Sequence, residues 1–199
     1  MIREVTDEGV RRGIAYHEAG HAVIGTRLGL EVLGMDIVPD GAGGRGHTRF
    51  ATPWPGFNPR GRLTDPERDV VVRFAVTFMG GVAAEGRLGV ADPGGSGFDE
   101  LDVWERWIGL LSSNEEERRA LRAEYLARAV ALLDEPGAWP AIVAVGDALL
   151  RVSSLTGADV RTLLSPADGD TPDPAPGNQG KPVYKRDDDQ QVAEPEHQR

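Results

Sequence analysis

Ala15-Tyr16-His17-Glu18-Ala19-Gly20-His21-Ala22 predicts a helix with two imidazoles on one face. Helical positions i and i+4 project from the same side, so His17 and His21 can point at a common atom, with Glu18 beside them. In this H-E-x-x-H spacing two neutral imidazoles typically hold a zinc ion, and the glutamate takes a proton from a water on the metal. The stretch therefore predicts His17 and His21 as metal ligands and Glu18 as the catalytic base.

The helix around this stretch is predicted to run from an N-cap at Thr6 to about Leu28. The histidines fall in step with its apolar residues, because the spacings alternate between four and three. Both imidazoles should therefore face the interior. The apolar stripe consists of Val10, Ile14, Ile24 and Leu28. Glycines within a helix weaken it, so Gly13, Gly20 and Gly25 predict the close approach of another part of the chain.

The remaining pattern predicts a mainly α (α+β) fold with one short β-hairpin near the histidines. Residues 31–39 and 47–50 are the predicted strands of the hairpin. Helix starts are predicted at Thr64, near Asp99, at Asn114, near Trp139 and at Thr156. In the second helix Val71, Phe74, Phe78 and Val82 should be buried. Its small residues, Gly80-Gly81 and Ala83-Ala84, should pack on the first helix.

Composition limits the metal ligands and the partners that this protein can have. The 199-residue chain has no cysteine, so a tightly bound transition metal must use His, Asp or Glu. A net charge of -10 argues against nucleic acid as a partner. The N-terminus has no signal-peptide core, and no apolar run is long enough to span a bilayer, so we expect a soluble, cytoplasmic protein without membrane insertion.

Residues 165–199 differ in composition from the rest. They hold six of the 14 prolines, eight acidic residues and almost no large apolar side chains. Such a segment cannot bury enough apolar surface to order itself, so it is predicted to be a disordered, acidic, proline-rich tail. Residues 1–164 are predicted to form the folded domain.

A catalytic zinc usually takes a third protein ligand. The candidates are Asp99, Asp102, Glu85 and His47. Glu85 can also be a helix-end carboxylate that bonds to a neighbouring helix, and His47 can also be an exposed strand histidine. Spacing alone does not choose among the four.

Several motifs together resemble the peptidase domain of the FtsH family of zinc metalloproteases, over about residues 10–164. Besides the H-E-x-x-H stretch, they are residues 35–39 with 46–50, the Gly80–Glu85 segment, residues 95–99 and residues 155–164, in the same order as in the family. The resemblance implies a zincin-like helical domain with a hairpin at the active site. It also implies a Zn²⁺-dependent endopeptidase.

In the family the third zinc ligand is an aspartate at the start of the helix after the Gly-Gly-containing one. The family has a glycine four residues before this aspartate. Gly95 matches that glycine, so the resemblance assigns the third ligand to Asp99. Glu100 departs from the family pattern, which has an apolar residue there, so Asp102 after Leu101 is the alternative ligand.

FtsH proteases also carry an ATPase module and transmembrane segments, and this sequence has no G-x-x-x-x-G-K phosphate loop. The resemblance therefore indicates a stand-alone peptidase domain that acts without ATP on peptides or unfolded proteins. A homo-oligomer and a separate ATPase are the partners that the family suggests. The alternative function is a catalytically inactive, zinc-binding regulatory or adaptor protein with the zincin fold.

Overall fold

A computed structural model describes residues 7–38, 46–51, 63–89, 105 and 107–165 of the chain. It confirms a mainly helical protein with one small antiparallel sheet. The elements in chain order are α1, Asp7–Arg27; β1, Val32–Asp36; β2, His47–Phe50; α2, Asp65–Leu88; α3, Glu115–Asp134; α4, Ala138–Val152; β3, Ser154–Thr156; and α5, Gly157–Leu164. The predicted N-cap Thr6 and the predicted tail after residue 165 lie outside these residues.

The three strands pair in the order β2-β1-β3, with β1 in the centre. Asp36 is the partner of His47 in β2 and of Ser154 in β3. The predicted hairpin pairing of β1 with β2 is therefore confirmed. The third strand was not predicted, because three residues are too few to show an alternating pattern.

Helix α1 is the centre of the fold. It packs against α2 on one side and α4 on another, and it also contacts the sheet. Every residue from Ala15 to Gly25 is buried. The predicted apolar stripe was therefore too narrow, since a helix that is covered on several sides is buried all round.

Glycines make the close packing around α1 possible. Gly20 and Gly80 face each other where α1 meets α2, and a Cβ on Gly80 would lie 2.9 Å from the carbonyl oxygen of Gly20. A Cβ on Gly25 would lie 2.5 Å from the ring of Phe50 in β2. On the α4 side, Tyr16 lies against Gly146. The prediction of close approaches is therefore confirmed for Gly20 and Gly25, and so is the packing of the small residues of α2 on α1.

Three of the predicted helix starts, at Thr64, Asn114 and Thr156, carry their caps. Helix α4 begins at Ala138, close to the predicted Trp139, without a side-chain cap, and the predicted start near Asp99 lies outside the described residues. The carboxylate of Glu67 accepts from the backbone N–H of Thr64 at 2.8 Å, and that of Asp159 accepts from the backbone N–H of Thr156 at 2.9 Å. Hydrogen bonds from Thr64, first from its backbone, lower the pKa of Glu67, and those from Thr156, first from its hydroxyl, lower the pKa of Asp159. At α3, the side chain of Asn114 accepts from the N–H groups of Glu116 and Glu117.

Among the described helices, none is by itself long and apolar enough to cross a membrane. Only α3 and α4 taken together have the length and composition of a span, and they are bent by 90° where they meet.

Two glycines of α2 provide a matched test of this packing. Gly80→Ala should lower the free energy of unfolding by about 1–3 kcal/mol, because the new methyl group overlaps Gly20 and Ile24. Gly86→Ala, on the same helix but with nothing within 4 Å of the new Cβ, should instead stabilise the protein by up to about 1 kcal/mol. Denaturant unfolding of both variants measures the difference. Equal effects would show that α1 and α2 do not approach so closely.

Candidate metal centre

The two histidines of α1 lie inside the helical packing. His17 is 3% exposed and His21 6% exposed, so both imidazoles face the interior as predicted. Their rings meet edge to face with centroids 4.6 Å apart, and the two Nε2 atoms are 3.0 Å apart. One turn of helix therefore brings the same nitrogen of each ring to one point.

Helix α2 contacts the opposite nitrogen of each ring. Nδ1 of His21 lies 2.9 Å from the backbone carbonyl oxygen of Thr77. Nδ1 of His17 lies 3.1 Å from Oε1 of Glu85, a side chain that is itself mostly buried. These contacts fix the orientation of both imidazoles.

The contact with Thr77 defines the tautomer of His21. A carbonyl oxygen only accepts hydrogen bonds, so the neutral ring of His21 carries its proton on Nδ1. Nε2 of His21 then presents a lone pair toward Nε2 of His17, 3.0 Å away. A cation shared by the two rings would need both Nε2 atoms unprotonated, and the carboxylate of Glu85 near Nδ1 of His17 favours that state of the second ring.

Zinc suits this donor pair. Two zinc–nitrogen bonds of tetrahedral geometry would place their nitrogen atoms about 3.3 Å apart, close to the observed separation. Ligating histidines almost always direct their second ring nitrogen at a carboxylate or a backbone carbonyl, and both kinds of partner are present here. The residues therefore fit a zinc ion with His17 and His21 as ligands.

Gly81 leaves the space for these rings. A Cβ at this position would lie 2.6 Å from Nε2 of His17 and 2.6 Å from Cε1 of His21. Any side chain at position 81 would push the imidazoles apart. The Gly80-Gly81 pair thus serves two purposes, because Gly80 admits the backbone of α1 and Gly81 admits its histidines.

Glu18 is mostly buried at 6% exposure and faces the sheet. The hydroxyl of Thr48 in β2 donates to its Oε2 at 2.7 Å. A carboxylate can accept further hydrogen bonds, so this contact leaves Glu18 able to accept a proton.

Tyr16 precedes the histidines but belongs to the packing with α4. Its hydroxyl donates to Asp147 at 2.9 Å, and its ring lies 6.2 Å from that of Trp139. Burial, with help from Asp147, raises the pKa of the Tyr16 phenol. Tyr16 therefore stays neutral at neutral pH and acts as a structural residue.

Of the four predicted candidates for the third metal ligand, Glu85 and His47 lie within the described residues. Glu85 contacts Nδ1 of His17, so it lies behind the imidazole and not on the side where the Nε2 atoms converge. The side chain of His47 is 46% exposed, and its Nδ1 lies 3.6 Å from Asp36. Asp99 and Asp102 lie outside the described residues. Within the described ranges no group of three His, Asp or Glu side chains converges to hold a metal.

Two partners of this centre were not predicted. The carbonyl of Thr77 and the hydroxyl of Thr48 carry no distinctive sequence signal, since one is backbone and the other depends on strand register. Glu85 was interpreted as a carboxylate that bonds to a neighbouring helix, and the structure places its Oε1 3.1 Å from Nδ1 of His17 on α1.

Comparison with known proteins supports a relation to one metalloprotease. No protein-family model matches the chain. Over 88 residues, which are 42% of the chain, it is 35% identical to the ATP-dependent zinc metalloprotease FtsH of Mycoplasma mobile. The match spans only 11% of that protein. The chain is thus related in part to an FtsH protein.

Proposed function

We propose that this protein is a zinc-dependent metallopeptidase that hydrolyses bonds in peptides or unfolded proteins. The observation that carries the proposal is the buried pair of Nε2 atoms 3.0 Å apart, with each Nδ1 held by an acceptor on α2. A pair of core histidines with only a structural role would have no need to bring the same nitrogen atom of both rings to one point. The partial similarity to a zinc metalloprotease supports the same proposal.

Each residue has a distinct part in the proposed reaction. His17 and His21 hold the ion, while Thr77 and Glu85 keep their rings oriented. A zinc ion held there would act as a Lewis acid for the attacking water and for the scissile carbonyl. Glu18 accepts a proton as the water oxygen bonds to the carbonyl carbon, and it returns that proton to the amine nitrogen as the C–N bond breaks.

Asp99 is the proposed third ligand, with Asp102 as the alternative. Two imidazoles leave a zinc centre incomplete, because catalytic sites generally use three protein ligands and keep one position open. Both aspartates follow α2 in the sequence, and a carboxylate is suited to the ion. His47 and Glu85 are less suitable, since Asp36 lies beside the first and the imidazole of His17 separates the second from the Nε2 atoms.

The proposed substrates are peptides and unfolded chains. The proposed hydrolysis itself consumes no nucleotide, because the attack of a water on the scissile carbonyl involves no phosphoryl transfer. Segments that are already extended are the substrates that such a site can take without prior unfolding.

The proposal is tested by removing the metal. Purified protein should bind one zinc ion per chain and should cleave casein, an unfolded protein, without added nucleotide. Chelation with 1,10-phenanthroline should stop cleavage, and one equivalent of zinc should restore it, because the ion acts on both the water and the carbonyl. Elemental analysis and gel-based cleavage assays provide the two readouts.

Two outcomes would contradict this function. Stoichiometric zinc without cleavage of casein or of a peptide library would favour the inactive regulatory or adaptor protein. Cleavage that persists after complete removal of zinc would show that the activity comes from another site or a contaminant.

A further inference from the structure

Strand β2 lies along α1 with its residues alternating between two environments. Phe50 is buried between Gly25 of α1 and Phe74 of α2, and the rings of Phe50 and Phe74 are 5.9 Å apart. His47 and Arg49 are exposed on the other face. Because side chains alternate along a strand, Thr48 shares the inner face with Phe50 and is directed at α1.

Thr48 contacts Glu18 twice. Its hydroxyl donates to Oε2 at 2.7 Å and also lies 3.2 Å from the backbone carbonyl oxygen of the same residue. On the other side, a Cβ on Gly46 would lie 2.7 Å from Oε1 of Glu18. The start of β2 therefore borders both oxygens of this carboxylate.

The other face of β2 fixes the strand itself. Arg49 forms an ion pair with Asp36 of β1 at 2.7 Å, and His47 lies 3.6 Å from the same carboxylate. Together with the packing of Phe50 against Gly25 and Phe74, these contacts hold β2 at a defined distance from α1. A hydroxyl on so constrained a strand can act as a fixed donor.

We propose that Thr48 is a positioning residue that holds the carboxylate of Glu18 in one orientation for proton transfer. The inference rests on the proposed function, in which Glu18 is the general base. A glutamate has three side-chain torsions, and a base must stay within hydrogen-bond reach of the proton it removes. Small errors in such a geometry reduce turnover strongly, so a donor that removes this freedom should contribute to kcat and not to substrate affinity.

The test replaces the hydroxyl while keeping the shape. Thr48→Val should lower kcat by about 10- to 100-fold and leave KM and the bound zinc unchanged, because only the orientation of the base is lost. Thr48→Ser, which keeps the hydroxyl, should retain most of the activity. The control is Thr26→Val on α1, where the lost hydroxyl bonds only to the carbonyl of Ala22.

Other results would overturn the inference. If Thr48→Val keeps kcat within twofold of wild type, or raises KM with kcat unchanged, Thr48 does not position the base. An equal loss in Thr48→Ser and Thr48→Val would show that strand packing matters and the hydroxyl does not.

A stability measurement separates this inference from the proposed function. In a double-mutant cycle of Thr48→Val with Glu18→Ala, the combined shift in the denaturation midpoint should be smaller than the sum of the single shifts. Coupling in a protein that hydrolyses nothing would refute the proposed function and uphold the contact. A protease without coupling, in which Thr48→Val is fully active, would refute the role of Thr48 alone.

Discussion

Glu18→Gln should lower kcat for peptide hydrolysis by roughly 10²- to 10⁴-fold while zinc remains bound at one ion per chain. The amide has the shape of the carboxylate and can still accept the hydrogen bond from Thr48, but it cannot take a proton. In the proposed site this side chain is not a ligand, so zinc binding should be unaffected. Initial rates at saturating peptide, with zinc measured on the same samples, check this expectation.

The matched control for this variant is Glu8→Gln. Glu8 lies on the same helix but is exposed in the first turn, so the same change of charge should leave kcat unchanged. If Glu18→Gln hydrolyses peptide as fast as wild type, another group acts as the base. A loss of zinc in this variant would instead mean that Glu18 takes part in binding the ion.

Metal affinity should fall in steps that separate the ligands from the residues that support them. His17→Ala and His21→Ala should abolish stoichiometric zinc, because each removes one of two converging nitrogen atoms. Glu85→Gln should weaken binding by only about 10- to 100-fold, as expected for loss of a supporting contact to a ligand. Competition with a chromophoric zinc chelator measures the affinities.

The same titration identifies the third ligand. Asp99→Ala should lose zinc as the histidine variants do, whereas Asp102→Ala should retain it. His197→Ala is the control, because it removes an imidazole from the sequence far from the H-E-x-x-H stretch. The reverse result for the two aspartates would assign the ligand to Asp102, and loss of zinc in Glu85→Gln as complete as in His17→Ala would make Glu85 a ligand.

The parts of the fold that sequence predicted well are those set by local rules. Apolar periodicity predicted that His17 and His21 face inward, and both are buried. The capping pairs that begin at Thr64 and Thr156 lie where the sequence placed them. In each case the cause is contained within one or two turns of helix, so the residues alone carry the information.

The features that the sequence did not predict depend on how helices and strands pack against one another. Val82 was predicted to be buried and is 36% exposed, since periodicity reports an average face but not the position of the neighbouring helix. The bond from Thr48 to Glu18 joins residues 30 positions apart and requires the β1–β2 register. The third zinc ligand remains a prediction, because Asp99 and Asp102 lie outside the described residues.

One stripe of α2 contains Thr77, Gly81 and Glu85 at intervals of four residues. Along this stripe the imidazoles contact a backbone carbonyl and a carboxylate, and the missing side chain of Gly81 leaves room for both rings. The spacing of this stripe matches the spacing of the two histidines on α1. Inserting or deleting one residue between Thr77 and Glu85 would turn the following part of the helix by about 100° and remove several of these contacts together. In related sequences, the length of α2 across this stripe should therefore stay constant.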